Sequence, residues 1–357
     1  MRSVRWTVFC RVIDNLGDAG VCWRLAADLA SRGETVQLVI DDASPLHRIA
    51  PRGAAGLDVI AWRDDLDFEG AEVVVEAFGC NPPQRYVEQM AKTIPAPRWI
   101  NLEYLSAEAH AQRSHGLPSP QWQGAGRGLT KWFYYPGFVP STGGLLREPG
   151  LLRARAAFER DAWLRSLHLL RAAHERVSVL FCYAHSGLDA WLSALADQPT
   201  LLLVPQGPAQ AAVRGALGPG LQRRALRAEL LPWLTQTDFD RLLWSSDLSV
   251  VRGEDSLVRA LWAGTPFIWQ LYPQQDGAHL RKLQAFLARW RADSPAAPPA
   301  GVDAWFEWWN VAPGSPLAPS ALPAPAPWRD ALHGWREHLA AQSDLCTRLL
   351  GFVAGKR

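Results

Sequence analysis

The chain has 357 residues, 48% of them hydrophobic, and a formal charge of +2 at neutral pH. That length exceeds what one core usually serves, so two domains are expected, and the near-neutral balance argues against a general nucleic-acid or membrane surface. The five cysteines are scattered with no Cys-x-x-Cys pair, which argues against structural zinc or a disulfide framework and suits a reducing cytosol.

The N-terminus runs straight into a strand, with no secretory signal, and no apolar stretch is long enough to span a bilayer. Trp6 to Ile13 reads as that strand. It ends in Asp14-Asn15-Leu16-Gly17-Asp18-Ala19-Gly20, and a helix from about Val21 to Ser31 follows, stopped by Gly33. Thr35–Ile40 is the next strand. Strand, helix, strand at this spacing is a βαβ unit and implies a parallel sheet. The first turn lacks both G-x-G-x-x-G and a Gly-Lys-Ser/Thr ending, so it is neither a dinucleotide fingerprint nor a P-loop.

The alternation continues with strands at 57–61, 72–77 and 98–104 and a helix at 83–92. Residues 106–148 read as an irregular, Gly-, Pro- and aromatic-rich segment, and 151–176 as one arginine-rich helix bridging two domains. A second round of strands and helices then starts at Val177, with strands at 177–183 and 200–204, a strand within 222–231, and helices at 188–196 and 238–244. Residues 276–292 read as a helix. Residues 293–327 read as an extended Pro- and Ala-rich segment around a Trp-rich helix at 303–310. One long amphipathic helix, Trp328 to Val353, closes the chain. The expected domains are 1–174, joined by a C-terminal helix at about 340–357, and 175–339. Most of the eighteen tryptophans are expected in the cores.

The most informative stretch is 247–276. Leu248, Val250 and Val251 form a buried strand ended by Arg252-Gly253, and Glu254-Asp255-Ser256 opens a helix whose Leu257, Leu261 and Trp262 share a face. Gly264 and Pro266 stop it, and Phe267-Ile268-Trp269 starts the next strand. Such a helix start offers free amides and a partial positive charge, to which Arg252 adds a cation; a diphosphate fits. Capping of the helix by Asp255 or Ser256 explains the same residues.

Two doubly wound domains place their ligands at the carboxyl ends of the strands. In such a pair, one wall holds the phosphate site near Gly253 and the other the carboxylates Asp14 and Asp18. That is what an inverting, metal-independent nucleotide-sugar transferase requires. Taken alone, Asp14 serves equally as an Asx turn and Asp18 as a helix cap.

The sequence resembles the EarP family of elongation factor P rhamnosyltransferases over most of its length. The resemblance rests on Val12–Val21 with Trp23-Arg24-Leu25, Asn101–Ser106, His115–Ser119, Phe133–Gly137, Thr142–Glu148, Arg252–Ser256, Trp262-Ala263-Gly264 and Tyr272-Pro273-Gln274. It implies a GT-B fold, an α/β architecture of two Rossmann-like domains facing across a crevice. It also implies dTDP-β-L-rhamnose as donor, no further cofactor, inversion, and an arginine of elongation factor P (EF-P) as acceptor, in the cytoplasm. Asp14, Asp18 and Glu254 become the catalytic candidates: Asp18 as base or guanidinium-aligning group, Asp14 as its support, Glu254 contacting a donor hydroxyl or positioning Arg252. Phe181, Trp233 and Phe239 would form the thymine pocket. Asn15, Gly17, Tyr183, Arg252, Gly253, Asp255, Ser256, Tyr272 and Gln274 complete the donor-binding candidates, with Ser256 offering its hydroxyl to phosphate. No metal ligand is assigned. Two other readings fit the residues: a GT-B transferase with a small-molecule or lipid acceptor, and a non-enzymatic two-lobed nucleotide- or sugar-binding protein.

Overall fold

The computed structural model describes residues 3–13, 15–311, 318–319 and 321–355. The chain divides into two compact units, Met1–Pro149 with Gln342–Arg357, and Gly150–Ala341. The division thus falls at 149/150, where the sequence suggests 174/175.

The first unit runs β1 (Arg5–Cys10), α1 (Asn15–Ser31), β2 (Thr35–Ile40), α2 (Leu46–Ile49), β3 (Leu57–Ala61), β4 (Val73–Ala77), α3 (Gln84–Lys92), β5 (Arg98–Leu102), α4 (Ala109–Ser114), β6 (Pro118–Pro120) and β7 (Thr130–Tyr134). Its sheet has the order β3-β2-β1-β4-β5-β7-β6, parallel except for the antiparallel β6–β7 pair. Side chains alternate between two cores. Trp6, Val8 and Cys10 of β1 join one with Val73, Val75 and Ala77 of β4, whereas Phe9 and Val74 join the other with Tyr86 and Met90 of α3. Burial on both faces is why these strands read as continuous apolar runs.

Three expectations are corrected here. β1 ends at Cys10, not Ile13, and α1 begins at Asn15, six residues before Val21. Asp18 therefore sits in the first turn of a helix, and its Oδ2 accepts the Ile13 amide at 2.9 Å, as a back-reaching first-turn carboxylate does in a capping box. The irregular 106–148 segment contains β7, a full member of the sheet. Lys131 is tolerated there because it pairs with buried Glu76 at 2.6 Å and lies 4.2 Å from the Trp99 ring centre.

The second unit runs α5 (Leu151–Ala156), α6 (Arg160–Ser166), β8 (Arg176–Leu180), α7 (Leu188–Leu195), β9 (Thr200–Val204), α8 (Pro208–Leu217), β10 (Gln222–Arg223), β11 (Leu226–Leu230), α9 (Gln236–Ser245), β12 (Leu248–Arg252), α10 (Gly253–Ala263), β13 (Phe267–Gln270), α11 (Ala278–Asp293), α12 (Val302–Asn310) and α13 (Pro325–Ala340). Its sheet order is β10-β11-β9-β8-β12-β13, parallel except for β10–β11. The stretch 151–176 is two short helices and a loop, not one helix, and it belongs to this unit. Buried tryptophans fill the core: Trp191 meets Trp305 and Trp309 edge-on, and Trp290 stacks on Trp335. Residues 312–317 and 320 of the Pro-rich segment lie outside the described residues. α9 is locked to α10 by a buried bidentate pair, Arg259 Nε and Nη2 donating to the Asp240 carboxylate at 2.8 and 2.7 Å.

The terminal helix is also corrected: it breaks after Ala340, and α14 (Leu345–Gly355) starts afresh under Asp344, whose Oδ1 accepts the Thr347 amide. α14 belongs to the first unit. Arg32, directly after α1, binds both Asp28 and Asp344, and Arg348 donates to the carbonyls of Pro140 and Thr142 at 2.8 and 2.6 Å. Gly143 is required beneath it, since a Cβ there would lie 2.4 Å from the Tyr134 ring. The Thr142–Glu148 motif is thus a seat for α14. His115 is structural too: its Nδ1 accepts the Tyr135 amide, and burial pushes its pKa down to about 4, leaving it neutral.

Candidate active site

In the second sheet the chain turns outward in opposite directions from β8 and β12, so the switch point lies between these neighbours. Arg252 ends β12 there. Its extended backbone (φ −129°, ψ 155°) passes into Gly253 at φ +68°, a conformation that favours glycine, and α10 begins at once. The Trp269 indole donates to the Gly253 carbonyl at 2.7 Å, and the amides of the first turn, having no intrahelical acceptor, point outward along the helix axis.

Residues that follow β8 hold the Arg252 side chain. Its Cζ lies 4.7 Å from the Phe181 ring centre and 4.6 Å from that of Tyr183. Phe181 meets Phe239 of α9 edge-on at 5.0 Å, and Tyr183 meets Tyr272 at 5.4 Å. The Tyr183 amide is fixed to the buried Gln270 side chain at 2.8 Å. Among the described residues Arg252 forms no ion pair, so two aromatic faces orient a cation whose charge is not neutralised. With the α10 amides beside it, this group can bind a phosphate.

The other donor-binding candidates of this unit lie on the segments that follow its strands. Trp233 is 38% exposed and lies between β11 and α9, beyond the same edge of the sheet. Tyr272 is 62% exposed, and Gln274 is exposed with its amide bonded to His279 Nδ1. The Ser256 role differs from expectation, and Glu254 has a partner that its expected roles did not include. The Ser256 hydroxyl is turned back onto the Arg252 carbonyl, and Glu254 is paired with Lys282 of α11. Phe181 supports Arg252 as well as the aromatic group, a contact that only the β8–β12 pairing brings about.

Asp18, Asn15 and Gly17 belong to the first unit, at the start of α1 and hence at the carboxyl end of β1. Asp18 is buried, with the Ile13 amide holding one oxygen. Asp14 lies outside the described residues. Among the described residues one group of acidic and thiol side chains converges tightly enough for a metal, Asp28, Asp344 and Cys346, but Arg32 binds both aspartates and they serve the α14 seam. No helix among the described residues is long and apolar enough to cross a membrane.

The model of the family described as Elongation-Factor P (EF-P) rhamnosyltransferase EarP matches residues 6–354. The protein-arginine rhamnosyltransferase of Pseudomonas aeruginosa is 41% identical over 374 aligned residues, covering 98% of each chain. Its namesake in Neisseria meningitidis serogroup B is 37% identical, covering 78% of this chain and 77% of its own. A solved structure described as the structural basis for EarP-mediated arginine glycosylation of translation elongation factor EF-P is 31% identical with a TM-score of 0.65, covering 99% of this chain and 100% of that one. A Polygonum tinctorium UDP-glucosyltransferase shares the fold at 12% identity and a TM-score of 0.54, over 99% of this chain and 98% of its own.

Two parallel, doubly wound units with an oriented cation at one switch point make this chain a glycosyltransferase of the GT-B fold. Within that class the match is narrower. The chain belongs to the EarP family of EF-P rhamnosyltransferases.

Proposed function

We propose that the protein transfers L-rhamnose from dTDP-β-L-rhamnose to an arginine side chain of EF-P in the cytoplasm, with inversion and without a metal. The observation that carries the donor half is Arg252, held by Phe181 and Tyr183 at the start of α10 without an ion-pair partner among the described residues. It and the α10 amides take the diphosphate charge that a metal would otherwise neutralise.

The second unit supplies the donor site and the first the acceptor carboxylates. Arginine is a weak nucleophile because its guanidinium stays protonated below about pH 12. Asp18, with Asp14, localises that charge on two nitrogens and leaves the third to attack the anomeric carbon opposite the diphosphate. The C–O bond to dTDP breaks as the N–C bond forms, and the carboxylate takes the released proton late. Family membership supports the acceptor and the sugar. Mass spectrometry of EF-P incubated with enzyme and dTDP-rhamnose in EDTA tests the transfer and its independence of metal: one deoxyhexose added to one arginine is expected, and NMR of the product's anomeric centre tests the inversion. Transfer that stops in EDTA and returns with Mg²⁺ or Mn²⁺ removes the metal-free scheme.

Trp233 should stack the thymine. Stacking on one aromatic face contributes roughly 1–3 kcal/mol, so Trp233→Ala should weaken dTDP binding by roughly 5- to 150-fold. Unchanged affinity by calorimetry removes Trp233 from the site.

A further inference from the structure

The carboxyl edge of the first sheet holds an acidic group that the scheme above leaves unused. Glu103 follows directly on β5. Leu102 of β5 pairs with Ala77 of β4, and β1 lies next beyond β4. Strands spaced at about 4.8 Å put the Glu103 backbone roughly 10 Å across the sheet from the end of β1.

Its surroundings are firmly built. Buried Asn101 accepts the Gly79 amide at 3.2 Å through Oδ1 and donates to Glu103 Oε1 at 2.7 Å through Nδ2. Phe78, directly after β4, holds φ at +58°, a conformation that is strained for a bulky residue and concentrates at functional sites. It stacks flat on Tyr104 at 4.2 Å, and Tyr104 keeps 39% of its surface exposed.

Glu103 makes no direct ion pair among the described residues, and His110 and Lys131 act on its charge only at longer range. Lys131 is bound to Glu76 and Trp99. Burial raises its carboxyl pKa, with the Asn101 bond opposing that rise. A half-buried carboxylate braced by a neutral amide is stabilised further by a cation brought from outside.

We propose that Glu103 and Tyr104 form a positioning subsite for a second basic side chain of the protein acceptor, flanking the arginine presented to Asp18. This rests on the function proposed above. The carboxylate receives the N–H groups of a lysine or arginine, and the Tyr104 face packs against its stem. A span of about 10 Å fits residues two or three apart in an extended segment at about 3.3 Å per residue.

Glu103→Gln removes the charge and keeps an acceptor for Asn101. Its kcat and KM for EF-P, its dTDP affinity and its melting temperature are compared with those of the unaltered enzyme. The expected result is a KM raised about 10-fold or more, from loss of a charged hydrogen bond, with kcat, dTDP affinity and melting temperature little changed. Glu103→Asp should restore part of the loss. On EF-P whose basic residues near the modified arginine are changed to alanine, Glu103→Gln should have no further effect. An unaltered KM overturns the proposal, as does a loss of melting temperature together with dTDP affinity, which would make Glu103 structural. If the unaltered enzyme leaves EF-P unmodified, the proposed function itself fails, and that result is read without any variant.

Discussion

Asp18→Asn is expected to slow transfer to EF-P by roughly 100- to 10,000-fold while dTDP binds as before, because general-base assistance alone spans that range. The argument begins with the position of the side chain. Asp18 stands in the first turn of α1 at the carboxyl end of β1, and one oxygen is fixed by the Ile13 amide. An asparagine carbonyl can still accept that amide, so the helix start and the melting temperature should persist. What disappears is the negative charge that aligns a guanidinium and takes its proton. The proposed diphosphate and thymine contacts, Arg252 and Trp233, belong to the other unit, so dTDP affinity reports on residues apart from Asp18. A variant retaining more than about a tenth of the rate falls outside the catalytic range and removes Asp18 as base. A variant that also loses dTDP binding assigns Asp18 to the donor or the fold, and the base then has to be sought at Asp14 or Glu254.

The strand, helix and strand around Gly253 were legible because their signals are local. Gly264 and Pro266 mark the end of α10, and apolar residues alternate at the helical period from Leu257. The observed β12, α10 and β13 agree with that reading to within a residue or two. The start of α1 was not legible. Gly17 and Gly20 are weak helix formers, and only the Asp18 bond back to Ile13 shows that the helix begins at Asn15. β7 was hidden by Lys131, whose partners Glu76 and Trp99 lie on other strands. The break before α14 was masked by an apolar period running through it, although Asp344 is a sound cap. α8 was missed outright, although Gly207-Pro208 opens it with proline in the first turn. Glu103 could be suspected only as a polar residue at a strand end; its lack of a direct ion pair among the described residues depends on where Lys131 goes.

Arg252→Met should weaken dTDP binding by roughly 100-fold or more, since two charge-assisted bonds to a diphosphate contribute about 1.5–3 kcal/mol each. Methionine keeps much of the apolar stem between Phe181 and Tyr183 and loses only the charge and the planar fork. The two cation–π contacts at 4.7 and 4.6 Å are partly exposed, and about 0.5–1 kcal/mol for each lowers the melting temperature by only a few degrees. Arg252→Lys retains the charge without the stacking plane and should fall between the two. Thymidine, which has no phosphate, supplies the control. If Arg252 reads the diphosphate, thymidine should bind Arg252→Met as it binds the unaltered enzyme, whereas Trp233→Ala should weaken thymidine and dTDP alike. Equal losses of thymidine and dTDP in Arg252→Met would mean that the arginine props the aromatic group and the phosphates lie elsewhere. Undiminished dTDP affinity would leave the α10 amides as the whole phosphate site.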